Sequence, residues 1–111
     1  MPFIDVKTNI KIENKEVLKG ELGRLISLIP GKSESWLMVD IEDNQNMYFK
    51  GSDAPLMMVE VKIYGSASES ALNNFTLSVT NSLSLVYNVP KNRIYVSYFM
   101  TPFWGYDGEN F

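Results

Sequence analysis

The 111-residue chain contains no cysteine and no histidine. The first absence removes disulfides, thiolate nucleophiles, iron–sulfur clusters and cysteine zinc sites. The second removes the usual imidazole base, the Ser-His-Asp relay and histidine-bound metals. Any acid–base chemistry must come from carboxylates, lysines, tyrosines or a terminal amine. Positive charge is scarce as well. Ten Lys and Arg against thirteen Asp and Glu leave a net charge of −3. No basic run exists to follow a phosphate backbone, which argues against nucleic acid as a partner. No stretch approaches the roughly 18 apolar residues of a membrane span, so no membrane partner is expected. Lys7, Lys11, Glu13, Lys15 and Glu16 interrupt the first residues, which therefore lack the basic-then-apolar pattern of a signal peptide. The expectation is a cytoplasmic protein.

What is present reads as one globular domain over residues 1–111, with 45% apolar and 21% charged residues. Pro2 to Lys7 alternates as a short strand, with Pro2, Ile4 and Val6 on one face and Phe3 and Asp5 on the other. Leu18, Leu22, Leu25, Ile26 and Ile29 recur at helical spacing between Lys15 and Ile29, and Pro30-Gly31 stops that helix. Trp36 to Ile41 reads as a second strand, Met47 to Phe49 as a short one, and Leu56 to Tyr64 as the longest. Ser66-Ala67-Ser68-Glu69 has capping-box spacing for a second helix. Its stripe is Leu72, Phe75, Val79, Leu83 and Val86. Arg93 to Phe99 is a further strand, with Ile94, Val96 and Tyr98 on one face and Tyr95, Ser97 and Phe99 on the other. The tail from Phe103 to Phe111 is aromatic and punctuated by glycine, and is expected to pack on the body.

Strand–helix–strand therefore occurs twice, from Pro2 to Ile41 and from Leu56 to Phe99. A parallel strand pair needs a crossover of this kind. The expected fold is α+β: duplicated βαβ units forming a four-stranded mixed sheet, with two helices on one face and short extra strands. The other face of the sheet is then left without a cover, and other subunits are the natural candidates to cover it.

Pro2 carries a chemical option beyond beginning a strand. Removal of Met1 would leave a secondary amine on a rigid ring. An unperturbed α-amino group titrates at about 7.7–8.0, and apolar surroundings lower that. Such an amine is a base near neutral pH.

Several segments carry a likeness to a known family. They are Met1-Pro2-Phe3 leading to Thr8-Asn9, Gly31-Lys32, Gly51-Ser52-Asp53-Ala54-Pro55, and Ile63-Tyr64-Gly65. They continue with Val89-Pro90-Lys91-Asn92-Arg93-Ile94-Tyr95 and with Trp104-Gly105-Tyr106-Asp107-Gly108-Glu109-Asn110-Phe111. In this order the chain resembles the macrophage migration inhibitory factor family of the tautomerase superfamily. The resemblance implies a trimer with sheets facing inward and active sites between subunits. It also implies cofactor-free keto–enol tautomerisation of phenylpyruvate-like α-keto acids or dopachrome analogues. Pro2 would be the catalytic base and Lys32 the carboxylate-binding lysine. The backbone N–H at Tyr64 would be a second carboxylate contact, in a position where the family usually has a small aliphatic residue. Tyr95 would come from the neighbouring subunit. Ser97 stands where many members have asparagine, Tyr106 where many have tryptophan, and Phe111 matches the pocket phenylalanine. Pro55-Leu56-Met57-Met58 occupies the place of the Cys-x-x-Cys of vertebrate members, so thiol–disulfide exchange is excluded. The alternative the family offers is a cytokine-like signalling protein with a vestigial pocket, exported without a leader to meet a protein receptor.

Overall fold

The computed structural model describes residues Met1–Phe111. Strand β1 (Pro2–Thr8) leads through helix α1 (Lys15–Ile26) and a 3-10 turn at Glu34–Trp36 to β2 (Met38–Glu42). The second unit is β3 (Met57–Tyr64), α2 (Glu69–Tyr87) and, after a 3-10 turn at Lys91–Arg93, β4 (Ile94–Thr101). A small hairpin of β5 (Gly105–Tyr106) and β6 (Glu109–Asn110) ends the chain. The sheet order is β2-β1-β3-β4. β1 pairs parallel with β2, β3 pairs parallel with β4, and β1 and β3 meet antiparallel at the centre. This is the expected mixed sheet of two βαβ units. Neither helix is long and apolar enough to cross a membrane.

One face of the sheet carries the core. Ile4 and Val6 of β1 and Met57, Val59, Val61 and Ile63 of β3 are fully or almost fully buried. Leu18, Leu22, Leu25 and Ile26 of α1 and Phe75, Val79 and Leu83 of α2 pack onto them. The strand period of two and the helix period of 3.6 thus present their apolar sides to one another. The Tyr98 hydroxyl ties β4 to α2 through Thr76 Oγ1 at 2.7 Å and the Leu72 carbonyl at 2.9 Å.

Four local readings change. The α-helix of the first unit ends at Ile26; tightened turns, with the Leu28 and Ile29 amides bonding the Leu25 and Ile26 carbonyls, carry Ile29 into the core all the same. Trp36 lies in the 3-10 turn, and β2 starts at Met38. Met47 to Phe49 is no strand; its one ladder contact is an isolated bridge between Phe49 and Ser52. Ser68, rather than Ser66, caps α2, accepting from the Ala71 amide at 3.1 Å.

The opposite face of the sheet is polar at its centre and apolar at its ends. Register places Asp40, Asp5, Glu60 and Ser97 in one row across the four strands. The Lys7 ammonium bonds Asp5, reaches Glu60 at 3.0 Å, and lies 3.5 Å from Glu42. Its pKa is raised, first by the hydrogen bonds to Asp5 and Glu60. The neighbouring Asp5 carboxyl pushes the Glu42 pKa upward. Met38, Tyr95 and Phe99 stand exposed around this patch.

Phe75 is fully buried, with its ring centroid 6.3 Å from that of Tyr98. Phe75→Ala is expected to lower unfolding free energy by about 3–5 kcal/mol, measured by urea denaturation at fixed protein concentration.

Candidate active site

The seam between β1 and β3 sets Pro2 directly opposite Ile63. One step further, the Tyr64 amide donates to the Met1 carbonyl at 3.1 Å. Gly31, at φ +81°, turns the chain after α1, a conformation that glycine adopts without steric cost. Lys32 then points back and donates from Nζ to the Tyr64 carbonyl at 2.9 Å. Both polar backbone groups of Tyr64 are thus engaged beside Pro2. The Met1 carbonyl sits on the very N–H that the family resemblance assigns to a substrate carboxylate. The Met1 amine has a pKa below its ordinary 8.0, first because it is partly buried and second because the Lys32 charge is near.

A cavity of about 570 Å³ opens at this point. Pro2 and Phe3 form its floor, with Met38 and Lys62 beside them. Trp36, Leu37, Trp104 and Tyr106 line the rest together with Met1, Ser35 and Gly105. A larger depression of about 720 Å³ lies over the start of α2, between Glu69 and Thr76, and contains none of the predicted residues. The cavity at Pro2 is lined by two of the predicted residues, Pro2 and Tyr106.

The C-terminal hairpin closes one side. Asp107 (φ +53°) and Gly108 (φ +80°) make its tight turn. The Phe111 amide bonds the Trp104 carbonyl at 3.0 Å. Phe111 then faces Tyr64 with ring centroids 5.5 Å apart, and Tyr106 meets Trp36 edge-on at 5.2 Å. Of the expected packing of the tail, the ring contacts of Tyr106 and Phe111 are present, while Phe103 stands 84% exposed.

Pro2, Lys32, Tyr64, Tyr106 and Phe111 come together at this end of the sheet. Tyr95 and Ser97 do not. They pair with Met58 and Glu60, whereas the partner of Ile63 is Met100. Five residue steps along β4 carry the chain from Tyr95 to that row, roughly 16 Å at about 3.3 Å per residue. Tyr95 instead packs on Phe49, with centroids 4.8 Å apart, and stands on the open sheet face. Within one chain neither reaches Pro2. Sequence reasoning missed Trp36, Trp104 and Lys62 as cavity residues. Trp36 follows Lys32 by four positions and Trp104 begins the tail motif, so both were within reach; Lys62 was not, because only the strand register reveals it.

The pattern of the family described as macrophage migration inhibitory factor (MIF) matches residues 1–109. The macrophage migration inhibitory factor homolog of Trichuris trichiura is 29% identical over 100 residues, covering 88% of this chain and 87% of that protein. The crystal structure of Leishmania major MIF2 superposes with a TM-score of 0.89 at 26% identity, covering 100% of this chain and 97% of that one. The homologue from Prochlorococcus marinus shares the fold, with a TM-score of 0.81 at 24% identity over 98% of each chain.

Replacing Lys32 by Gln in the Met1-bearing chain should raise the Met1 amine pKa without restoring it to 8.0, since burial, the larger cause, remains. The pH dependence of selective amine acylation, followed by peptide mass spectrometry, measures this.

Proposed function

The chain belongs to the macrophage migration inhibitory factor family, and we propose that it is a cofactor-free tautomerase acting on phenylpyruvate-like 2-oxo acids, with Pro2 as the base once Met1 is removed. The supporting observation is the Met1 carbonyl on the Tyr64 N–H beside Lys32. It puts an oxygen where a substrate carboxylate would bind, one residue from the reacting nitrogen. Loss of Met1 frees that N–H and turns the Pro2 amide into a secondary amine.

In the keto-to-enol direction the neutral Pro2 nitrogen takes a proton from the carbon next to the ketone. The C–H electron pair becomes the C=C bond, and the carbonyl π pair moves to oxygen. The Pro2 ammonium then returns the proton to that oxygen. No atom is gained or lost. Lys32 and the Tyr64 N–H hold the carboxylate throughout, and Trp36 and Tyr106 flank the ring. Partial burial and the nearby Lys32 charge depress an amine at this end of the chain. The same two causes would keep a Pro2 amine neutral, and so basic, near pH 7.

Tyr95 and Ser97 enter this reading through assembly. The family fold is typically oligomeric, and a trimer would bring them from a neighbour to the cavity. A second reading is a signalling or receptor-binding protein with a vestigial pocket. It is motivated by the Tyr64 and Phe111 rings, which narrow the space beside Lys32.

The test uses protein whose intact mass shows loss of Met1. Ketonisation of phenylpyruvate enol should rise with pH through a single group near neutrality. Pro2→Gly should lower kcat/KM by about 10²–10⁴-fold, the usual worth of a positioned base. Full activity in Pro2→Gly, or in protein retaining Met1, overturns the mechanism. Processed protein that lacks turnover transfers the weight to the binding reading.

A further inference from the structure

We infer that Lys62 makes this cavity a site for 2-oxo acids that carry a second negative charge, at the end remote from the carboxylate held by Lys32 and the Tyr64 N–H. The position of the first carboxylate rests on the tautomerase reading above; the second anion rests on Lys62 alone.

Lys62 stands opposite Phe3 across the seam, in the row next to the Pro2–Ile63 pair. It is the single charged side chain on the cavity wall, among Phe3, Trp36, Met38, Trp104 and Tyr106. Its ammonium lies 5.8 Å from the centroid of the Phe3 ring, close enough for the ring face to attract it. It has no counter-ion. Lys7, Lys11, Lys15 and Lys19 each have a carboxylate within 4.0 Å, and Lys62 has none. Glu60, two residues away on the same face, is the natural candidate, but Lys7 holds it at 3.0 Å.

The chain as a whole is negative, at −3, so an unpaired cation among the aromatic side chains of this cavity is a local reversal of sign. Lys62 is exposed to solvent, so its attraction for an anion is open to screening by salt. Cavities of about 300–1,000 Å³ hold drug-sized ligands, and 570 Å³ accommodates more than a three-carbon acid. An aromatic ring between the two anions would lie against Trp36 and Tyr106. The class is therefore an aryl 2-oxo acid with a carboxylate on the ring. Lys62 transfers no proton in this scheme. It is a specificity residue that selects and orients.

Binding and turnover separate this inference from the reading beneath it. Cinnamate and 4-carboxycinnamate serve as unreactive planar probes, with quenching of Trp36 and Trp104 fluorescence as readout on protein lacking Met1. Phenylpyruvate and 4-carboxyphenylpyruvate serve as substrates. The dicarboxylate of each pair should be favoured by about tenfold at low salt, the scale of one charge-assisted hydrogen bond. The preference should shrink as salt rises. Lys62→Met should reduce it to about one, and Lys62→Arg should keep most of it. Circular dichroism confirms that the variants are folded. A wild-type protein without the preference, or a Lys62→Met variant that retains it, overturns the inference. The preference in binding without any turnover supports the dianion site and refutes the tautomerase reading; turnover without the preference does the reverse.

Discussion

The antiparallel seam between β1 and β3 is the contact on which the rest of the molecule depends. Each βαβ unit could form its own parallel pair, but a two-stranded piece with one helix leaves most of its apolar surface wet. Joining the units through β1 and β3 places Ile4, Val6, Val59, Val61 and Ile63 in one continuous layer under both helices. The same register sets Pro2 against Ile63, Phe3 against Lys62 and the Tyr64 amide against the Met1 carbonyl. A slip of one residue would turn every one of these side chains to the other face. The core and the candidate site are therefore fixed by one set of ladder hydrogen bonds.

The open face of the sheet sets a different constraint. Asp5 is only 8% exposed, and its Oδ1 has no partner in the chain. One ammonium, that of Lys7, serves Asp5, Glu42 and Glu60. Crowded carboxylates resist sharing so little positive charge, and the raised Glu42 pKa expresses that resistance. Any assembly that covers this face must keep the charges paired or hydrated, because an unpaired buried charge costs several kcal/mol. The exposed Met38, Tyr95 and Phe99 at the margins supply apolar contact area around that polar centre.

Much of the architecture was legible because its causes are local. Alternation marked β1 and β3, the stripe through Phe75, Val79 and Leu83 marked α2, and Pro30-Gly31 marked the turn that returns Lys32. Errors fell where two local signals competed. Ser66 and Ser68 both suit a cap, and the choice follows from which hydroxyl reaches the Ala71 amide. Trp36 suits a strand, yet the chain needs a 3-10 turn there to reach β2; that turn lays the Glu34 side chain over Gly23, where a Cβ would come within 2.1 Å of the carboxylate. The site was legible only in part. Pro2, Lys32, Tyr64, Tyr106 and Phe111 could be named from a family likeness. That Lys62 shares a cavity with Pro2 and Tyr106 depends on cross-strand register, which no local pattern encodes. Tyr95 and Ser97 lie beyond the reach of a single chain's geometry.

Met1 lies against Lys32 and Tyr64, and Phe111 lies against that same Tyr64. Both ends of the described chain thus converge on one spot. For anyone handling the molecule this removes the two customary places for an affinity handle or a fluorescent fusion. An extension before Pro2 keeps its nitrogen an amide, and one after Phe111 starts beside the Tyr64 ring. Labels belong instead on the outward side of α2, where Leu77 and Leu85 already face solvent.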